Sequence, residues 1–231
     1  MSTAVPVPAP VTVPIAGSSD RYPVHRIYCV GRNYAAHVQE MGGDPRRDAP
    51  VFFTKPADAI LADGADFPYP PRSSDVHHEV ELVVALARGG RNINADAALA
   101  CVYGYAVGND WTRRDLQAGA KRAGQPWDMA KGFDHSAALS PLYPVSTVGH
   151  IDRGPIALRV NGALRQSSDV SAMLWSVAEI IAELSTYVLL APGDLIYTGT
   201  PDGVGPVQVG DWVEASIAGL GTLSNRVVET R

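Results

Sequence analysis

The run His78-Glu79-Val80-Glu81-Leu82-Val83-Val84 constrains this chain more than any other stretch. Its β-branched and apolar residues read as a β-strand. Side chains alternate along a strand, so Glu79 and Glu81 leave one face while Val80 and Leu82 point the other way, into a core. Two like charges side by side on an otherwise apolar strand repel one another. Either that face meets water, or a cation binds there. Oxygen-only ligands suit Mg²⁺, Ca²⁺ or Mn²⁺.

The chain has 231 residues, enough for a well-buried core in one large domain or two small ones. A net charge of −5 argues against nucleic acid as a partner. With 22 Gly and 18 Pro, many turns and short strands are expected. Cys29 and Cys101 both lie in apolar runs and read as buried small hydrophobes, not as a disulfide framework. No apolar run is long enough for a membrane span, and no signal-peptide pattern is visible, so a cytoplasmic protein is expected.

Residues 1–22 form a Pro-rich arm, and residues 23–231 are expected to form one catalytic domain. Strands are expected over 25–31, 51–56 and 102–110, and from the E-x-E run to about Ala87. Helices are expected over 33–41, 96–101 and 112–120, with the longest over 171–189. Residues 155–160 alternate and meet Asn161-Gly162, a hairpin signal. The order of elements gives an α+β, mostly β domain, not a series of βαβ units.

A third carboxylate, Asp110, ends its strand just before a helix, and helical spacing brings Arg114 and Gln117 to one side. The alternative for Arg114 is a solvated charge paired with Asp115. His37 and Glu40 stand at i and i+3, where a carboxylate can hold one imidazole nitrogen and leave the other to take a proton from water. An exposed helix pair is the plain alternative. Lys131, beside Gly132, is placed either at a developing oxyanion or on the surface. The loop from Tyr197 to Gly205 is glycine-rich but has neither phosphate-binding fingerprint, so nucleotide binding is rejected. Its Thr200 offers a hydroxyl and an N–H to a carboxylate.

In order along the chain, Gly31-Arg32-Asn33-Tyr34, His37 with Glu40, Phe53-Thr54-Lys55-Pro56, His78-Glu79-Val80-Glu81 and Gly108-Asn109-Asp110 strongly resemble the fumarylacetoacetate hydrolase family. Arg114-Asp115-Leu116-Gln117, Lys131-Gly132-Phe133-Asp134, Pro192-Gly193-Asp194 and Thr198-Gly199-Thr200-Pro201-Asp202-Gly203 extend the resemblance over nearly all of the chain from Pro23. It implies a mixed β-sandwich roll, a homodimer, and a divalent metal on Glu79, Glu81 and Asp110, with Mg²⁺ first and Mn²⁺ or Ca²⁺ as alternatives. The fourth metal carboxylate of some longer members has no match here. His37, Glu40, Lys131 and Gln117 take catalytic roles by this resemblance, with His37 and Glu40 on a segment that can close as a lid. Arg32, Arg114, Gly199 and Thr200 take substrate-binding ones. The run from Arg26 to His37 looks most like members acting on fumarylpyruvate in gentisate breakdown, so the implied activity is hydrolysis of an acylpyruvate, a small keto acid. Hydrolysis of maleylpyruvate or another acylpyruvate, oxaloacetate decarboxylation, isomerisation of a hydroxy-dienedioate and a non-catalytic metal- or keto-acid-binding module are the alternatives. Arg46 and Arg47 read as surface residues, with a substrate carboxylate as the other option.

Overall fold

The structure is a computed structural model that describes residues 3–44 and 49–230. Arg46 and Arg47 lie outside the described residues. Two mixed sheets face each other. The larger runs Val51–Lys55, Ile27–Gly31, Leu195–Tyr197, Val80–Leu86, Val102–Asp110, Ala137–Leu139, Ile60–Ala62, with Tyr143–Pro144 beside Val102–Asp110. The smaller runs Ala163–Asp169, Pro155–Val160, Trp212–Ile217, Thr222–Val228, Phe67–Pro68. Most neighbours are antiparallel, but Leu195–Tyr197 lies parallel to Ile27–Gly31, and Ala137–Leu139 lies parallel to Ile60–Ala62. This is the curled, mostly β sandwich expected.

The core between the sheets combines Leu82, Val84 and Val107 from one with Ile156, Leu158, Val213 and Ala215 from the other. Every residue of Val80–Leu86 is buried, on both faces. Its other side, with Val83 and Ala85, packs with Cys29, Leu195 and Tyr197 and is covered by Val13, Ile15 and Tyr22 of the N-terminal hairpin. So the face that carries Glu81 does not open to water, and the water-facing reading of the acidic pair fails. Asn161 and Gly162 both take positive φ, 52° and 78°, as the two-residue turn of the Pro155–Val160 hairpin requires.

Two helix boundaries differ from expectation. The longest helix is Val177–Tyr187, preceded by a 3₁₀ turn at Val170–Ala172. Ser176 and Glu179 form a reciprocal cap that starts the helix there, so Met173 and Leu174 precede it despite their helical spacing. Thr112–Arg113 is a short strand, and the helix is Arg114–Ala123, stopped by Gly124 at φ 63°. Among the described residues, no helix is long and apolar enough to cross a membrane.

Candidate active site

The E-x-E strand is broken at its first glutamate. Val76–His78 joins a small three-stranded sheet with Thr112–Arg113 and Gly205–Pro206, while Val80–Leu86 belongs to the large sheet. Glu79 is the joint. Its N–H donates to the Asn109 side chain at 2.7 Å, and its C=O accepts from Asp110 N at 2.8 Å. This cross-tie carries Asp110 to the same place. Ligand atoms of Glu79, Glu81 and Asp110 lie within 4.8 Å of one another, and the residues are only 4%, 2% and 0% exposed.

Three buried carboxylates cannot all ionise together unless cations neutralise them. Lys131 Nζ donates to Glu79 at 2.7 Å, Asp110 at 2.6 Å and Thr112 Oγ1 at 2.7 Å. An ammonium has three donors, and all three are engaged. Burial opposes the charge on Lys131, but Asp110 and Glu79 outweigh it and raise its pKa. Lys55 pairs with Asp110 Oδ1 at 2.7 Å and donates to the carbonyls of Trp111 and Lys131. Arg114 donates to Glu79 at 2.5 Å, to Gln117 Oε1 at 2.6 Å and to His77 Nδ1 at 3.3 Å. Burial works against ionised Glu79 as well, yet Lys131 and Arg114 hold its pKa far below the usual carboxylate range.

Glu81 is the exception. Among the described residues its one hydrogen-bond donor is the Gly199 N–H at 2.8 Å, and burial with the charges of Asp110 and Glu79 pushes its pKa well up. A carboxylate buried against two others, with one hydrogen bond, is where a divalent cation fits. The all-oxygen donor set suits Mg²⁺ or Mn²⁺.

His37 lines the same cavity, of about 160 Å³, as the acidic trio, and Glu40 holds it from behind. His37 Nδ1 is 3.2 Å from Glu40 Oε2, and Glu40 Oε1 accepts the Gly203 N–H at 2.9 Å. The pair is therefore docked on the glycine loop. Burial lowers the His37 pKa, against the opposing pull of Glu79 and Glu40, so the imidazole is neutral at pH 7. Glycine is needed twice in that loop. Gly199 has φ 99° and Gly203 φ 88°, and a Cβ would strike Asn33 and the Arg165 carbonyl respectively.

Arg32, Arg114, Gln117, Lys131 and Thr200 all line this cavity. Two geometries differ from the expected roles, and the alternative pairing of Arg114 with Asp115 is not made. Lys131 has no donor left for an oxyanion. Gly199 gives its N–H to Glu81 and so cannot offer it to a substrate. Arg114 is paired with Glu79, while Asp115 turns instead to Ser73 and Ser74.

Sequence reasoning missed two supports. Gln166, fully buried on the Ala163–Asp169 strand, donates to Thr200 Oγ1 at 2.8 Å and to the Pro201 carbonyl at 2.9 Å. Its Oε1 accepts from Val80 N at 3.1 Å and lies 3.0 Å from His78 Nδ1. Burial lowers the His78 pKa to about 4, so that ring is neutral and donates from Nδ1. Asn33 ties the start of the His37 segment to the Thr198 carbonyl at 2.7 Å and to Trp175.

The model of the fumarylacetoacetate (FAA) hydrolase C-terminal family matches residues 26–228. A fumarylpyruvate hydrolase from Ralstonia sp is 46% identical over 173 residues, covering 75% of this chain and 90% of that protein. An oxaloacetate tautomerase from Escherichia coli (strain K12) is 39% identical over 208 residues, covering 90% and 94%. The crystal structure of fumarylpyruvate hydrolase from Pseudomonas aeruginosa, in complex with Mn²⁺ and pyruvate, superposes with a TM-score of 0.97 at 49% identity, covering 99% of this chain and 100% of that one. With the carboxylate trio, the docked His37–Glu40 pair and the sandwich that carries them, these matches place the chain in the fumarylacetoacetate hydrolase family.

Proposed function

We propose that this chain hydrolyses the carbon–carbon bond of an acylpyruvate with a divalent metal, and that fumarylpyruvate is the substrate, giving fumarate and pyruvate. The observation that carries this reading is that one cavity joins the buried acidic trio to a neutral histidine held by a carboxylate. The Mn²⁺ and pyruvate of the Pseudomonas relative support the metal and the keto-acid end.

Glu79, Glu81 and Asp110 hold the metal, which when bound supplies charge neutralisation and polarises the keto-acid oxygens. Lys131 and Lys55 orient those carboxylates. Thr200 accepts from Gln166, so its own hydroxyl proton is free for the pyruvyl carboxylate. Arg114 engages three of its five donors, and the remaining N–H groups serve the same end.

His37, held at Nδ1 by Glu40, takes a proton from water at Nε2. The water oxygen bonds to the distal carbonyl carbon, and the carbonyl electron pair moves onto its oxygen. The Gln117 amide, whose oxygen already accepts from Arg114, donates to that oxyanion. Such a donor is typically worth about 3 kcal/mol. As the electron pair returns, the bond to the methylene carbon breaks and its electrons stay with the pyruvyl fragment as an enolate. The proton on His37 then completes pyruvate at that carbon. One water is consumed per bond broken. Mg²⁺ or Mn²⁺, a homodimer and a place in gentisate-type degradation belong to this reading.

Oxaloacetate chemistry is the second reading, because a relative of 39% identity is an oxaloacetate tautomerase. A panel of fumarylpyruvate, maleylpyruvate, acetylpyruvate and oxaloacetate separates the two. The hydrolase reading expects fumarylpyruvate to give the highest kcat/KM, with release of fumarate. Turnover of oxaloacetate alone would favour the tautomerase. Binding of pyruvate or oxalate without any turnover would favour a non-catalytic module.

A further inference from the structure

The mouth of the cavity carries positive charge that the steps above leave unused. On the helix Arg114–Ala123, Arg114, Gln117 and Lys121 follow at spacings of three and four, so they share one face. All three line the cavity. Arg114 is the inner end, bonded to Glu79. Lys121 stands seven residues further along, about 10 Å at 1.5 Å per residue. Its Nζ lies 5.1 Å from the ring centroid of Trp127, another cavity wall.

Arg32 approaches from the opposite element, directly after the strand Ile27–Gly31, and lines the same cavity. Its φ of 64° is left-handed, an unusual backbone for a non-glycine residue. Neither Arg32 nor Lys121 forms an ion pair among the described residues. Partial burial and the charges of Arg114 and Arg32 both work against the Lys121 ammonium and lower its pKa. Two unpaired cations converge on a space whose inner floor is built for a keto acid. An anion between them relieves their repulsion.

Resting on the acylpyruvate reading, we infer that Lys121, with Arg32 opposite, binds the far carboxylate of a dicarboxylic acylpyruvate. The offset along the helix decides the class. An extended fumaryl chain carries its second carboxylate further from the keto-acid end than oxaloacetate does, toward the Lys121 end of the helix. An acetyl end reaches less far still and carries no charge to bind.

The test compares kcat/KM for fumarylpyruvate and acetylpyruvate in the metal-loaded wild type, Lys121→Met and Lys121→Arg. A lost charge-assisted hydrogen bond is expected to lower the fumarylpyruvate-to-acetylpyruvate ratio by about tenfold or more in Lys121→Met. The loss is expected as a rise in KM, with kcat for fumarylpyruvate kept within about twofold, and Lys121→Arg is expected to restore most of the ratio. Arg32→Met is the second variant and is expected to move the ratio in the same direction. Wild-type turnover of both substrates with an unchanged ratio in Lys121→Met and Arg32→Met would overturn the Lys121 assignment alone. No turnover of either substrate by wild type would overturn both readings.

Discussion

At the residue scale, the site is an ionic lattice with one unbalanced member. Among the described residues, Glu79 and Asp110 each have buried cationic partners, whereas Glu81 has a single backbone donor. Glu81→Gln removes a ligand charge while keeping the shape. It is expected to weaken Mn²⁺ binding by at least about tenfold in titration calorimetry. Wild-type affinity would show that the trio does not hold the metal. His37 acts as base only when neutral, so its lowered pKa has a sign that can be checked. Activity is expected to rise with pH through a midpoint below the ordinary histidine value of 6.5 and to stay high above it. At saturating metal, His37→Ala is expected to lower kcat by about 10²- to 10⁴-fold and to abolish that limb of the pH profile. An unchanged profile would assign the base elsewhere. Glu79, Glu81, Asp110, His37 and Glu40 were legible because strand alternation and helical spacing are local. Lys55 was visible only as part of a motif. Its pairing with Asp110 spans 55 positions of sequence and closes only when two strands and a loop meet.

At the scale of elements, two loops and one strand do the positioning. The strand Ala163–Asp169 belongs to the smaller sheet, yet its Gln166 reaches Thr200, Val80 and His78 around the site. Gln166→Leu leaves a buried N–H, a buried hydroxyl and the Pro201 carbonyl without that partner. The expected cost is about 3 kcal/mol, read as a lower urea midpoint at unchanged slope. A midpoint equal to wild type would mean water or a rearranged loop replaces the amide. Gly203→Ala meets both a left-handed backbone and the Arg165 carbonyl, so it must move the loop that holds Glu40. The expected result is a kcat loss approaching that of Glu40→Ala. Retained kcat would show that the Glu40–Gly203 tie is dispensable. Nothing in the local pattern around Gln166 announces this role, because its partners come from other strands and loops. The helix start at Ser176 was open to reading, since Ser-x-x-Glu is a capping signal. Apolar spacing at Met173 and Leu174 masked it.

At the scale of the whole molecule, the sandwich explains why polar machinery can be so deeply buried. Val80–Leu86 and Val102–Asp110 are central strands with partners on both sides, so their backbone groups are satisfied and their ends are rigid. Carboxylates on such strands hold their separation against mutual repulsion. Composition and periodicity indicated a mostly β chain with few helices. The pairing order, and the meeting of a small third sheet with the large one at Glu79, were not legible from local pattern. Sheet order is set by contacts far apart in sequence, and the ordered motifs of a known family carried that information instead. The most direct test is fumarylpyruvate hydrolysis followed against free Mn²⁺, with wild type and Glu81→Gln stripped by chelator beforehand. Wild type is expected to be inactive when stripped, to recover on adding Mn²⁺ and to release fumarate and pyruvate in equal amounts, with Glu81→Gln needing far more metal. Full turnover by the stripped wild type would contradict a metal-dependent hydrolase at Glu79, Glu81 and Asp110.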